Sequence, residues 1–217
     1  MISVIIPTLN EEENIASVIH FAKAQPYVTE VIVVDDKSQD KTVAIAHSNQ
    51  AKVVTSTKLG KGASMKDGVL CAKNNIVVFL DGDIDPYPHF TIKLLTDPIL
   101  QDEVDFVKSS FSRNAGRVTE LVAKPLLSIF FPDLLRFSQP LSGMIAGKKS
   151  LFMQLDFRDD YGVDIGILID MHLMNARMRE IEIGYIENKS KPWQALGKMN
   201  DMLAAAAGDQ RRGVAAQ

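Results

Sequence analysis

Over residues 1–100 the chain alternates short β-branched runs with segments of helical periodicity, and that alternation restricts the fold more than any other feature. Strands are predicted at 3–6, 30–34, 52–55 and 76–80, with helices at about 11–24, 40–49 and 61–73 between them. Parallel neighbours cannot be joined by a tight turn, so strand and helix in strict alternation wind a parallel sheet through crossover helices. Ile15, Val18, Ile19 and Ala22 recur at helical spacing and form the core face of the first helix. Asn10 is expected to cap that helix, with Glu13 three residues on completing a capping box. The expected class is α/β, a Rossmann-like and mostly parallel sheet with flanking helices.

Beyond Pro98 the alternation becomes irregular. A strand is predicted at 104–111, a helix at 118–130, a proline-marked turn at Phe131-Pro132-Asp133 and a short strand at 143–147. Helices at 148–155 and 163–178, a strand at 180–186, a last helix at 192–207 and a frayed tail at 208–217 follow. Met171, Met174 and Met178 share a predicted helical face with Ile167 and read as core or dimer contact. The apolar stretches 126–131 and 165–174 either pair two copies or close the core of one. With 217 residues, one main core is expected, and 1–100 and 101–207 are two halves of the same domain.

The arrangement aims acid at one edge of the sheet. Five apolar residues, Ile76 to Leu80, are followed at once by Asp81-Gly82-Asp83, a buried strand delivering two carboxylates to its own carboxyl end. Ligands of open α/β sheets bind in the crevice outside the carboxyl ends of the strands. Magnesium-like cations combine one or two carboxylates with substrate phosphates, so Asp81 and Asp83 read as a metal-diphosphate site. Pro7-Thr8-Leu9-Asn10-Glu11-Glu12 and Asp35-Asp36-Lys37-Ser38 end the first two strands at the same edge, and a carboxylate such as Asp36 can accept from the ring N–H of a base. Gly60-Lys61-Gly62 opens the third helix, where a flexible backbone, a cation and a helix amino terminus converge on an anion. The GxxxxGK[ST] spacing of a P-loop is absent.

Composition narrows the classes further. Hydrophobic residues at 46% and charged residues at 24% exclude disorder and fibrous repeats. A net charge of −3 offers no global attraction to nucleic acid or an anionic membrane, so an anionic ligand must be held by local groups. A single cysteine, Cys71, excludes an intrachain disulfide and a cysteine-based zinc cluster. His20, His47, His89 and His172 fall on predicted helices with no two at ligand spacing. The chain opens directly on a strand without a signal-peptide pattern and has no membrane-spanning apolar run, so a soluble, cytoplasmic protein is expected.

Taken in order, Pro7-Thr8-Leu9-Asn10-Glu11, Asp35-Asp36-Lys37-Ser38, Gly60-Lys61-Gly62 and Asp81-Gly82-Asp83 resemble the nucleotide-sugar half of a GT-A glycosyltransferase. Gly116-Arg117-Val118-Thr119-Glu120-Leu121-Val122, Gln139-Pro140-Leu141-Ser142-Gly143 and Tyr161-Gly162-Val163-Asp164-Ile165 narrow the resemblance to the glucosyl-3-phosphoglycerate synthase family. It spans about residues 2–200 and implies a GT-A fold with a helical acceptor-side extension. Residues 1–100 would bind the nucleotide sugar, 101–207 would serve acceptor binding and dimerisation, and 208–217 would be a flexible tail. The implied activity is a retaining, metal-dependent transfer of a hexose, glucose above all, from a UDP-sugar to 3-phosphoglycerate or a similar small phosphorylated hydroxy acid.

Carried over by residue, the resemblance implies that Pro7, Leu9, Asn10, Glu11 and Asp36 surround uridine and that Lys61 lies near the diphosphate. Asp81 would face the ribose and sugar, and Asp83 would ligate Mg2+ or Mn2+. Gly116, Arg117, Val118 and Thr119 would hold the acceptor, while Tyr161 and Asp164 would border the donor sugar and the acceptor hydroxyl. The family's usual glutamate is replaced here by Asp164, and Asn188 stands where a histidine serves as second metal ligand. Two other readings stay open at this point: a GT-A enzyme with another acceptor, such as a polyprenyl phosphate, and a catalytically silent nucleotide-sugar-binding domain.

Overall fold

The computed structural model describes residues 1–112, 116, 118–159 and 162–186. Arg117, Tyr161, Asn188, the predicted helix at 192–207 and the tail at 208–217 lie outside the described residues. Among the described residues, seven strands form one sheet in the order β3-β2-β1-β4-β6-β5-β7. They are β1 (Ile2–Thr8), β2 (Val28–Asp35), β3 (Lys52–Thr55), β4 (Ile76–Phe79), β5 (Phe106–Ser112), β6 (Ile145–Lys148) and β7 (Met178–Tyr185). The first four run parallel, in register Ile5 with Ile32 and with Phe79, and Thr8 with Asp35. β6 is antiparallel to both β4 and β5, and β5 is parallel to β7. The second half of the chain therefore extends the same sheet.

Among the described residues, seven α-helices cover the two faces: α1 (Ile15–Lys23), α2 (Thr42–Ser48), α3 (Lys61–Cys71), α4 (Thr91–Leu100), α5 (Lys124–Phe130), α6 (Lys149–Phe152) and α7 (Val163–Leu173). Strand side chains alternate between faces. Val4, Ile6, Val31, Val33, Val78 and Leu80 pack with Ile15, Val18 and Ile19 of α1 and Ile92, Leu95 and Ile99 of α4. Ile5, Ile32, Val34, Val77 and Phe79 point the other way, toward Met65 and Val69 of α3, Phe152 of α6 and the apolar length of α7. A sheet buried on both faces needs nearly continuous apolar strands, which β1, β2 and β4 supply. Residues 163 to 169 of α7 and Met171 are buried in the core of the chain, while Leu173 is exposed.

Four expectations are corrected. α4 lies where no helix is predicted; it runs through Pro98, the eighth of its ten residues, which removes the i→i−4 bond to the Leu94 carbonyl. Asn10 does not cap α1, which starts at Ile15 with no side-chain cap. Asn10 takes a left-handed conformation (φ 57°), and its Oδ1 accepts from the Gln39 N–H at 2.8 Å. The helix predicted at 163–178 ends at Leu173, so Met178 begins β7. His89 occupies the turn before α4 rather than a helix.

Candidate active site

Because β1, β2 and β4 are parallel, their carboxyl ends open onto one edge and carry the predicted motifs there together. The loops after β1 and β2 are laced into a single floor. The N–H of Asn10 donates to Ser38 Oγ (2.9 Å), that of Glu11 to Thr42 Oγ1 (2.8 Å) and that of Glu12 to Asp40 Oδ2 (3.1 Å). The Lys41 N–H donates back to Glu12 Oε2 at 2.9 Å. Leu9 stands 46% exposed above this floor, an apolar surface beside polar loops. Asp35 turns inward and accepts from the N–H groups of Lys37 and Ser38, fixing the turn from which Asp36 projects.

Asp36 is buried, and both its carboxylate oxygens accept from the Gly60 N–H, at 2.9 and 3.1 Å. Burial raises its pKa above the usual aspartate range, with the Gly60 bond opposing the shift. Gly60 has φ 121°, a conformation that side chains disfavour, so the glycine before α3 is required by the backbone that reaches Asp36. Asp36 thus lies at the expected strand end, with its carboxylate already bonded to the main chain. Gly62 is pressed against the segment before α7: its N–H donates to Asp159 O at 3.1 Å, and a Cβ there would fall on the main-chain carbonyl of Arg158.

Lys61 is the centre of the site. Its Nζ lies 2.9 Å from Asp164 Oδ2 and 3.1 Å from Asp81 Oδ1, joining the start of α3, the end of β4 and the first turn of α7. Burial works against its charge, but Asp164 and then Asp81 outweigh it and hold the ammonium well above the ordinary lysine range. Lys61 is therefore a permanent cation at neutral pH. The other oxygen of Asp164, Oδ1, is buried and has no hydrogen-bond partner, an unsatisfied acceptor facing an unmet cost of burial. Gly143 roofs the cluster, because a Cβ there would lie 2.5 Å from Asp81 Oδ1 and closer still to Lys61 Nζ.

The Asp81-Gly82-Asp83 turn is held from two sides. Tyr87 is buried, stacks on Phe21 with ring centroids 5.0 Å apart and donates its hydroxyl to Asp81 O at 2.8 Å. Burial, and then Asp81 and Asp83, push its phenol well above the usual range, so it stays a donor. On the other side Gly82 approaches β1 so closely that a Cβ would meet Thr8 Cγ2 at 3.0 Å. The described residues hold no group of three or more His, Cys, Asp or Glu side chains able to bind a metal. A hard cation at Asp83 would complete its shell with diphosphate oxygens, which matches the way Mg2+ is ordinarily bound. The donor set at the turn fits Mg2+ or Mn2+ in that sense.

Gly116 and Val118, expected to hold an acceptor, precede a π-helical turn, Thr119–Ala123, that runs into α5. Thr119 is buried, and its N–H donates to Gly116 O at 3.0 Å. The Thr119 N–H is thus already engaged within the turn. Sequence reasoning missed Lys108 and Tyr87 as members of the site. A lysine inside an apolar strand was the available signal for Lys108, and Tyr87 gave none beyond its nearness to Asp83.

Residues 3–159 match the family described as Glycosyl transferase family 2. Glucosyl-3-phosphoglycerate synthase of Petrotoga mobilis is 32% identical over 91% of this chain and 69% of its own length. That of Mycolicibacterium smegmatis is 34% identical over 94% of this chain and 75% of its own. The solved structure of the Mycobacterium tuberculosis glucosyl-3-phosphoglycerate synthase with phosphoglyceric acid superposes with TM-score 0.91 at 35% identity, covering 95% of this chain and 78% of that one. Its complex with Mn2+, UDP and glucosyl-3-phosphoglycerate gives TM-score 0.89 at 34% identity, covering 95% and 78%. With the parallel edge, the strand-end carboxylates and the Lys61 cluster already in place, these similarities make the chain a member of glycosyl transferase family 2 and, within it, of the glucosyl-3-phosphoglycerate synthases.

Proposed function

We propose that this protein transfers glucose from UDP-glucose to the hydroxyl of 3-phosphoglycerate with retention of anomeric configuration. The observation that carries the reading is the Lys61–Asp81–Asp164 cluster at the carboxyl edge of the sheet, in a chain belonging to this family. The similar Mycobacterium tuberculosis enzyme has been solved with UDP-glucose, phosphoglyceric acid and Mn2+ together. Uridine would lie on the floor formed by the β1 and β2 loops, with Leu9 against one face, Pro7, Asn10 and Glu11 around it and Asp36 accepting from the ring.

Lys61 would turn from its two carboxylates toward the diphosphate, whose negative charge grows as the glycosidic bond breaks. Asp81 would hold the ribose and sugar side, and Asp164 would use its unpartnered oxygen for a hydroxyl bordering the reacting centre. Asp83, with Asn188 as the candidate second ligand, would hold a divalent cation, which would supply electrophilic stabilisation of the leaving diphosphate. No carboxylate nucleophile is invoked: the acceptor hydroxyl attacks from the face the leaving group departs, and its proton passes to the leaving phosphate oxygen. Gly116, Arg117, Val118 and Thr119 would hold the acceptor, with Arg117 taking the larger share because the Thr119 N–H already serves Gly116. Tyr161 would border the sugar beside Asp164.

No helix among the described residues is long and apolar enough to cross a membrane. A cytoplasmic setting fits small phosphorylated substrates and the lone cysteine. Pairing of two copies belongs to the same proposal; Leu121 and Ile129, exposed along 118–130, are its candidate contacts. The test of the reading is UDP release from UDP-glucose with and without 3-phosphoglycerate, in wild type and Arg117→Ala. Release stimulated by 3-phosphoglycerate in wild type, with a ten- to hundred-fold loss of acceptor affinity in the variant and unchanged UDP affinity, is expected for an arginine worth about 1.5–3 kcal/mol. Equal loss of both affinities refutes the acceptor assignment.

A further inference from the structure

Lys108 lies on β5 directly behind the site, and none of it reaches solvent. Its Nζ donates to two main-chain carbonyls, Ser142 O at 2.8 Å and Asp164 O at 3.1 Å. Burying an ammonium is costly, and an apolar side chain of the same length would fill the space without that cost. The two carbonyls belong to the two segments that frame the cluster. Ser142 precedes Gly143, which abuts Lys61 and Asp81, and Asp164 is the carboxylate paired with Lys61. Ser109, the next residue of β5, fixes the same turn through an Oγ–Oγ hydrogen bond of 2.6 Å to Ser142.

We propose that Lys108 is a positioning residue for glucosyl transfer: its ammonium ties the first turn of α7 to the 142–143 turn and sets the spacing of Asp164 from the Lys61–Asp81 pair. The inference rests on the proposed glucosyl transfer for the step it affects. The charged groups facing Lys108 are Asp164 from α7, Lys61 from α3, Asp81 from the end of β4 and Glu180 from β7. Burial lowers its pKa to about 8, against the pull of Asp164. The charge that strengthens both carbonyl bonds is therefore present at neutral pH and lost as the pH rises through that value.

Lys108→Met keeps the apolar stem and removes the donor, and Lys108→Gln retains an N–H donor without charge. Both are compared with wild type by acceptor-dependent UDP release over pH 6–9.5, calorimetric affinity for UDP with Mn2+, and thermal melting. The expected result for Lys108→Met is a kcat about thirtyfold lower, somewhat less than the roughly hundredfold of a full ångström displacement at a reacting centre. UDP affinity stays within threefold, Lys108→Gln recovers part of the loss, and the alkaline decline of wild-type kcat near pH 8 disappears in Lys108→Met. A folded Lys108→Met with kcat within threefold of wild type, or with the same alkaline decline, overturns the proposal. Parallel loss of UDP affinity, kcat and melting temperature marks a purely structural role and also overturns it. Should Lys108→Met not fold, Ser109→Ala decides: a kcat loss of at least threefold at unchanged UDP affinity supports the clamp, and unchanged kcat refutes it. Absence of 3-phosphoglycerate-dependent release in wild type refutes the transfer itself and this inference with it, whereas a fully active Lys108→Met refutes this inference alone.

Discussion

Gly143→Ala puts one methyl group into the centre of the site. The added Cβ would lie 2.5 Å from Asp81 Oδ1, closer to Lys61 Nζ and 3.0 Å from Asp81 Oδ2. Ordinary contact begins near 3.4 Å, so the carboxylate and the ammonium must each retreat by about 1 Å. The 142–143 turn cannot yield instead, because Lys108 and Ser109 hold Ser142 from below. Both obstructing groups are the ends of side chains, so the fold should survive at a cost of about 1–3 kcal/mol, the usual range for overpacking. The site should not, since misplacing groups at a reacting centre by about 1 Å costs on the order of a hundredfold in rate. Thermal melting and acceptor-dependent UDP release, measured on one preparation, separate the two effects. The expected result is a melting temperature lowered by several degrees beside a kcat/KM lower by about a hundredfold. A variant as active as wild type within threefold would refute the placement of Lys61 and Asp81 at the chemistry.

Asp83→Ala should abolish turnover and strongly weaken Mn2+-dependent UDP binding while leaving the fold intact; retained metal-dependent binding by calorimetry would count against Asp83 as ligand. Gly62→Ala should destabilise the protein by about 3 kcal/mol or more, because the clash is with the main-chain carbonyl of Arg158, which cannot swing aside as a side chain would; an unchanged denaturation midpoint would contradict this packing. Asp105 is held well below the usual aspartate range, first by the Arg177 guanidinium and also by Lys148. A lowered carboxylate pKa stabilises the fold above the unfolded value and loses that contribution as the pH falls toward the folded one. Asp105→Asn should therefore lower the melting temperature at pH 7, with the gap from wild type constant above about pH 5 and narrowing progressively below about pH 4; a gap as wide at pH 2.5 as at pH 7 would contradict the ion-pair account.

Local chemistry was the legible part of this chain. The run into Asp81-Gly82-Asp83 announces a strand and its acidic end within a few residues, and Gly60-Lys61-Gly62 marks a helix start without outside help. Parallel pairing of β1, β2 and β4 then brings these signals to one edge, since consecutive parallel strands share a carboxyl side. What escaped depends on distant partners. Asn10 has the residue type of a helix cap, but its amide oxygen finds the Gln39 N–H, 29 positions away. Asp164 was legible only through the family resemblance; by itself it is an acid at a helix start, and α7 packing beside α3 brings it to Lys61, 103 positions earlier. Lys108 looks like a polar interruption of a strand, and only the folded sheet shows its ammonium enclosed between two carbonyls. α4 escaped because it carries Pro98 inside it: proline removes one i→i−4 bond, and the helix forms all the same with Ile92, Leu95 and Ile99 buried against the sheet.

The central claim is that this cluster moves glucose onto 3-phosphoglycerate with its configuration kept. Incubating the protein with UDP-glucose, 3-phosphoglycerate and Mn2+, and reading the new anomeric proton by NMR, tests it most directly. The account predicts a glucosyl-3-phosphoglycerate whose anomeric coupling constant is the small one of an α-glucoside, as in the UDP-glucose supplied, formed only when acceptor and metal are both present. A β-glucoside would contradict front-face transfer, and UDP release without any glucosylated 3-phosphoglycerate would contradict the acceptor itself.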